Sequence, residues 1–197
     1  MYPLFESIKV VDDQIFHFDE HYLRMQNSSK ALWHHQIHFP HLENEICQRT
    51  QSGLQKCKII YNENEYRIEV QPYHKRAIER IYLVENNRIE YPYKYTNRKQ
   101  LLQLLDRYEF TDEIILVQNK NLTDTTYSNI ALWNGVEWHT PKKPLFKGIK
   151  RKILLEQNLI KEKIISINDI DQYSKISLIN AMLDLCEIEI KIENVIR

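Results

Sequence analysis

The chain has 197 residues, 43% hydrophobic and 27% charged, which is enough for one large domain or two small ones sharing a cleft. Basic and acidic residues number 27 each, so the formal charge is zero; this argues against a strongly electrostatic nucleic-acid surface and leaves association easy. Cys47, Cys57 and Cys186 are widely spaced without a CxxC pair, His34, His35, His38 and His41 lack an acidic or cysteine partner at ligand spacing, and neither a basic-apolar leader nor an apolar run of roughly 20 residues is seen. The expectation is a cytoplasmic protein with reduced thiols, no metal and no membrane segment.

Residues 5–16, FESIKVVDDQIF, alternate apolar and polar positions and predict a hairpin turning at Asp12-Asp13. Asp19 is a candidate cap for a helix with Tyr22, Leu23, Met25, Ala31 and Leu32 on its apolar face. A second helix is predicted over 42–52, and 56–73 reads as a hairpin turning at Asn62-Glu63-Asn64. A further strand is predicted over 78–86, followed by a polar Tyr/Asn-rich linker over 86–97. Then come a short amphipathic helix in RKQLLQLLDRYEF, a buried strand over 112–118, and a hairpin of SNIALWN and VEWHT through Asn134-Gly135. An amphipathic helix is predicted over 150–163, with Gly148 just before it. IISIND and EIEIKIE read as strands flanking a helix around Lys175–Leu185. The class is α+β, with mostly antiparallel strands in two halves. Three glycines in the whole chain exclude a Rossmann or P-loop cradle, so any phosphate site must use a helix N-terminus and cationic side chains.

The most informative stretch is Leu122–Arg151, LTDTTYSNIALWNGVEWHTPKKPLFKGIKR, read with Lys94 in YPYKYTNRKQLL. An acidic residue in a Thr/Ser/Asn-rich turn precedes a strand, and Gly-Ile-Lys-Arg opens a helix. Together these segments resemble the class IV (fold type IV) pyridoxal-phosphate enzymes, which include branched-chain and D-amino-acid aminotransferases and 4-amino-4-deoxychorismate lyase. Phe5-Glu6-Ser7-Ile8 resembles the family's Phe-Glu-Thr-Ile strand, and His21-x-x-Arg24 its His-x-x-Arg-Leu helix start. Lys94-x-x-Asn97-Arg98 resembles the Lys-x-x-Asn-Arg form of lyase-type members. Thr123–Asn129 resembles the Thr-Glu-x-x-x-x-Asn run, with Asp124 in place of the usual Glu. Thr140-Pro141 to Arg151 resembles Thr-Pro … Leu-x-Gly-Ile-(Thr/Ser)-Arg, and Asn180-Ala181 a late Asn-Ala segment that approaches substrate.

The resemblance implies a two-domain, D-amino-acid-aminotransferase-like fold with the cofactor cleft between the halves: an N-terminal domain over 1–85, a linker with the Schiff-base lysine over 86–97, and a C-terminal cofactor-binding domain over 98–197. Lys94 is implied as the catalytic and cofactor-linked residue. A lysine attacks a carbonyl only when neutral, and its ordinary pKa of ~10.4 falls in a buried or cation-rich site. Arg24 is implied to grip the cofactor phosphate, a role that suits a forked guanidinium. Asp124 is implied to hold the proton on the pyridine nitrogen. Thr126 and Ser128, with Asn129, line the cofactor or stabilise the turn. The Gly148-Ile149-Lys150 amides face the phosphate at a helix N-terminus, and Asn180 lies toward substrate. Two elements of relatives are missing: the N-terminal extension with its glycine-bearing loop, and the Gly-rich loop after the third strand, where YNENEY turns tightly. The pocket is therefore expected to be wider, reshaped or inactive.

Three functions follow. The first is a lyase resembling 4-amino-4-deoxychorismate lyase, giving 4-aminobenzoate and pyruvate for folate synthesis. The second is a class IV aminotransferase of branched-chain or D-amino-acid type. The third is a non-catalytic member of the scaffold. The resemblance also implies a homodimer acting on a small amino substrate, without nucleic acid or membrane.

Overall fold

The computed structural model describes residues 3–108 and 110–197; Met1, Tyr2 and Glu109, the last within the stretch predicted as a short helix, lie outside the described residues. The described residues form two compact units. The first runs through Lys75 and takes in Tyr93–Asn97; the second comprises Arg76–Pro92 and Arg98–Arg197.

In the first unit, β1 (Leu4–Val11), β2 (Gln14–Ile15), β3 (Leu54–Tyr61) and β4 (Tyr66–Pro72) form an antiparallel sheet in the order β2-β1-β3-β4. The Asp12-Asp13 turn forms as predicted, with φ of 46° and 65°, the left-handed pair that matches strand twist in a two-residue hairpin. The second predicted hairpin turns at Asn62, whose side chain accepts the amides of Asn64 and Glu65. Leu4, Ile8 and Val10 on β1 and Cys57, Ile59 and Tyr61 on β3 share one buried face. The helices α1 (Phe18–Trp33) and α2 (Leu42–Cys47) contribute Met25, Leu42 and Ile46 to that core. Asp19 is not the cap of α1: left-handed His17 precedes the helix, and Asp19 sits in the first turn, where its charge favours the helix dipole. The helix predicted over 42–52 stops at Cys47, and Gly53, at φ +92°, leads into β3.

The segment Tyr93–Asn97 belongs to the first unit because it pairs with the start of β1. Phe5 N donates to Lys94 O at 2.9 Å, and Thr96 donates to Pro3 O through its amide at 3.0 Å and its hydroxyl at 2.9 Å.

The second unit holds two sheets. One has the order β13-β5-β6-β7, from β5 (Ile81–Glu85), β6 (Glu113–Gln118), β7 (Asn121–Thr125) and β13 (Val195–Ile196). The other has the order β10-β9-β8-β11-β12, from β8 (Asn129–Trp133), β9 (Trp138–Pro141), β10 (Ile160–Lys163), β11 (Lys175–Ile179) and β12 (Glu189–Lys191). α3 (Lys99–Leu105) and α4 (Ile149–Glu156) complete it.

The sequence placed β5 in the N-terminal domain. In the structure it pairs in parallel with β6, from Ile81↔Glu113 to Glu85↔Val117, and so groups with the second unit. The stretch 86–97 likewise divides, 86–92 staying with the second unit and 93–97 with the first. The helix predicted over 150–163 ends at Glu156; left-handed Asn158, at φ 56°, reverses the chain, and Ile160–Lys163 forms β10 parallel to β9. The helix predicted around Lys175–Leu185 is absent, and Lys175–Ile179 is a strand paired with β8. Its last four residues are all buried, and a strand covered on both faces carries no alternation to separate it from a helix. The strand predicted from IISIND gives way to a 3-10 turn, Ile167–Gln172, capped by Ser166 and Asp169. EIEIKIE keeps only the three residues of β12 as a strand before a 3-10 turn.

Among the described residues no helix is long and apolar enough to cross a membrane.

Candidate active site

In the first unit the site is built on a buried carboxylate. Glu6 lies on the core face of β1 with no exposure. His21 and Arg24, one helical turn apart on α1, both reach it. Arg24 donates from Nε to Glu6 Oε1 at 2.8 Å and from Nη2 to Oε2 at 2.5 Å; His21 Nδ1 donates to Oε2 at 2.7 Å. Burial alone would raise the Glu6 carboxyl, but Arg24 beside it and the bonds from His21 and Arg24 hold it at about 2. Burial pushes the His21 imidazole below its ordinary value against the pull of Glu6, and the Arg24 and Lys94 cations add to that lowering. Arg24, implied as the phosphate anchor, is thus fixed by a forked ion pair. Lys94 is half-buried, with Nζ 4.8 Å from the centre of the Phe5 ring.

In the second unit Asp124 lies in β7, one residue before its end, in a strand and not in the turn that the sequence indicated, and is 4% exposed. Its Oδ1 accepts from Asn129 Nδ2 and its Oδ2 from Phe146 N, each at 2.7 Å, and Leu145 N adds a third bond. Burial raises its carboxyl to about 7 in spite of those bonds and of Arg151. Asn129, the first residue of β8, is the hub. Its Nδ2 also donates to Phe146 O at 2.7 Å, and its Oδ1 accepts from Gly148 N at 3.1 Å. A side chain at Gly148 would put its Cβ 2.2 Å from Asn129 Oδ1, so the contact requires glycine.

Gly148 caps α4, and the amides of Ile149, Lys150 and Arg151 have no acceptor within the helix. Lys150 is buried, and its Nζ bonds Asp184. Arg151 donates through Nη2 to Pro141 O and Glu162 Oε1, while its buried Nε has no partner. Ser128 Oγ accepts from Asn180 Nδ2 at 2.8 Å, so two expected site residues meet directly. Thr126 is instead engaged with buried Glu113, through its amide at 3.2 Å and its hydroxyl at 2.9 Å. Thr125, not Thr126, closes the turn: its hydroxyl accepts from Ser128 N at 3.0 Å.

The motifs carry no role for Glu6, His21 or Glu113, and they place Asn129 only as a lining or turn residue. The His-x-x-Arg spacing was the available signal for the first pair, since it puts both side chains on one helix face. Nothing local marks Glu113, whose partner Thr126 follows 13 residues later.

The raised Asp124 carboxyl gives a testable pH dependence. Its ordinary value is 3.8 and its folded value about 7, so between those values the folded protein holds a proton that the unfolded chain has lost. Stability from this group is therefore full below pH ~4, falls as pH rises to about 7, and is flat above. Carbon-13 NMR of aspartate-labelled, cofactor-free protein is expected to show one carboxyl titrating near neutrality, absent in Asp124→Asn. A spectrum in which every aspartate titrates near 4 would contradict this.

Comparison with known proteins follows the same residues. A family model described as amino-transferase class IV matches residues 3–189. An uncharacterized protein of Haemophilus influenzae is 30% identical over 185 residues, covering 92% of this chain and 98% of its own. The crystal structure of a provisionally named 4-amino-4-deoxychorismate lyase from Haemophilus somnus 129pt is 31% identical, with a TM-score of 0.86 over 94% of this chain and 98% of that one. A Mycobacterium tuberculosis aminotransferase, named as hypothetical and solved in its PLP-bound form, shares the fold at 13% identity, with a TM-score of 0.78 over 98% of this chain and 81% of that one. With the family model spanning nearly the whole chain and the fold shared with these structures, the protein is a member of the class IV aminotransferase family.

Proposed function

We propose that this chain binds pyridoxal phosphate, that Arg24, Lys94, Asp124, Thr126, Ser128, Gly148, Ile149 and Lys150 are its cofactor residues, and that it acts as a lyase forming 4-aminobenzoate and pyruvate from 4-amino-4-deoxychorismate. The carrying observation is Asp124. It is a buried carboxylate whose bonded partners are one side-chain amide and two backbone amides, none of them charged. An ionised carboxylate accepts about four hydrogen bonds. A cationic ring N–H would suit the remaining capacity of this carboxylate. The start of α4, whose first amides have no acceptor within the helix, suits a phosphate dianion, and Lys150, already paired with Asp184, adds positive charge beside it. Arg151 Nε, buried without a partner, is a further donor beside this terminus.

Bound there, the cofactor would serve as an electron sink for carbanion chemistry. Asp124 would keep the ring nitrogen protonated. Asn129 would hold Asp124 and the start of α4 in one register. Lys94 would hold the cofactor and carry protons as general acid and base. Two observations support the lyase branch: the Lys94-x-x-Asn97-Arg98 form, and the similarity to the provisionally named lyase at 31% identity. A cytoplasmic homodimer in folate synthesis completes the proposal.

The test is product analysis with PLP-loaded protein and 4-amino-4-deoxychorismate. Equal amounts of pyruvate and 4-aminobenzoate are expected. Amino-group exchange with a 2-oxo acid, without pyruvate release from that substrate, would replace the lyase by an aminotransferase.

A further inference from the structure

From the end of β7 to the start of β8 the chain carries aliphatic hydroxyls on Thr125, Thr126 and Ser128. Those of both threonines spend their protons inside the protein. Thr125 donates to Ser128 O at 3.3 Å, and Thr126 donates to Glu113 Oε2 at 2.9 Å. Thr126 is held through its main chain as well: its amide donates to Glu113 Oε1 at 3.2 Å, and its carbonyl accepts from Arg98 Nη2. Its part at the site is therefore to fix the shape of the turn.

Ser128 differs. Ser128 and Asn180 stand just outside the pairing of Asn129 with Ile179, at the ends of β8 and β11. Their side chains meet there, and Asn180 Nδ2 donates to Ser128 Oγ at 2.8 Å. The rest of Asn180 sets the direction of this bond. Its Oδ1 accepts from Met182 N at 2.8 Å and from Leu183 N at 3.1 Å, so a reversed amide would set its NH2 group against two donors. An amide NH2 offers no acceptor, so the Ser128 hydroxyl accepts there and its own proton points elsewhere. Among the described residues no acceptor takes that proton, although Ser128 is only 5% exposed. A buried donor left without an acceptor is costly, and a ligand oxygen would relieve it. The next residue, Asn129, bonds Asp124, so this spare donor stands beside the part of the chain that holds the proposed ring carboxylate.

We propose that Ser128 donates its hydroxyl to an anionic oxygen of the bound cofactor, and that Asn180 is the positioning residue that makes it a donor. This rests on the cofactor reading given above. Asn180 then acts on the cofactor through Ser128. Asn180→Asp reverses the arrangement: the carboxylate still accepts from the Met182 and Leu183 amides, but it presents an acceptor to Ser128, whose proton turns toward it and is lost to the ligand.

The test reads the Kd for PLP from the cofactor absorbance, with the melting temperature of the cofactor-free protein beside it. Ser128→Ala is expected to weaken PLP by about 10- to 100-fold, the worth of a hydrogen bond to a charged group. Asn180→Asp is expected to do the same alone and to add less than about twofold in the Ser128→Ala background. That non-additivity separates loss of the donor from the charge that the aspartate brings. Should Asn180→Asp not fold, Ser128→Ala alone decides the donor. Inorganic phosphate as a competitor locates the oxygen: weaker competition in Ser128→Ala assigns the bond to the phosphate, and unchanged competition assigns it to the ring. An unchanged Kd in Ser128→Ala, with or without a lower melting temperature, would overturn the proposal and leave the cofactor reading intact. A loss from Asn180→Asp that is equally large in both backgrounds would overturn the positioning role of Asn180. No cofactor band in wild type would remove the cofactor reading, and the role of Ser128 with it.

Discussion

Lys94→Ala is expected to abolish the visible band that PLP acquires on binding wild-type protein, and to lower turnover on the order of 10³-fold or more. The loss is chemical and not a failure to fold. The Lys94 carbonyl, which accepts from Phe5 N, is backbone and survives the change, as do both bonds from Thr96 to Pro3. What disappears is the amine and its contact with the Phe5 ring, worth roughly 0.5–1 kcal/mol at an exposed site and more when desolvated. The melting temperature is therefore expected to change little while the band vanishes. Identical bands in the two proteins would show that the cofactor is linked elsewhere.

Glu6→Gln is expected to be the more damaging change for stability. It leaves the Arg24 guanidinium and the buried His21 facing a neutral amide, and breaking a buried pair in this way costs roughly 3–5 kcal/mol. The pH dependence gives a second readout. The Glu6 carboxyl is held at about 2 against an ordinary 4.5, so it contributes stability that is present above pH ~4.5 and lost as pH falls toward 2. That difference corresponds to about 3 kcal/mol. His21, held below its ordinary value by burial, acts in the same direction: the unfolded chain takes up its proton first, so acid again favours unfolding. Urea titrations below pH ~4, where the Asp124 contribution is already full, should show a steep acid limb in wild type and a shallower one in Glu6→Gln. Parallel limbs would mean that the acid sensitivity lies elsewhere.

What could be read from the sequence were features with a local cause. The turns at Asp12-Asp13, Asn62 and Asn134-Gly135 formed where predicted, because left-handed residues and asparagine side chains bonding nearby amides act over two or three positions. Gly148 also fell at the start of a helix, although what requires glycine there is a distant contact, with Asn129. Other elements depended on distant partners. The apolar spacing of α4 continues into Ile160, so the end of the helix rests on Asn158 and on the pairing of Ile160–Lys163 with β9. β11 lies inside its sheet, between β8 and β12, and Ile176–Ile179 are buried on both of its faces. The same division holds at the site. Lys94, Arg24 and Asp124 stood out by motif. The bonds that fix Asp124 and Arg24 come from Asn129 and from Glu6, which His21 also bonds, and these contacts exist only after the chain has folded.

One feature of the division into units bears on biosynthesis. The chain passes from one unit to the other at residues 75/76, 92/93 and 97/98. On a ribosome, Arg24 and Glu6 emerge with their sheet well before the edge of β1 at Leu4–Phe5 receives Lys94–Thr96. The Glu6–Arg24 ion pair can therefore form before Lys94 reaches the edge of β1, and a nascent chain halted near Lys75 holds the pair without the lysine.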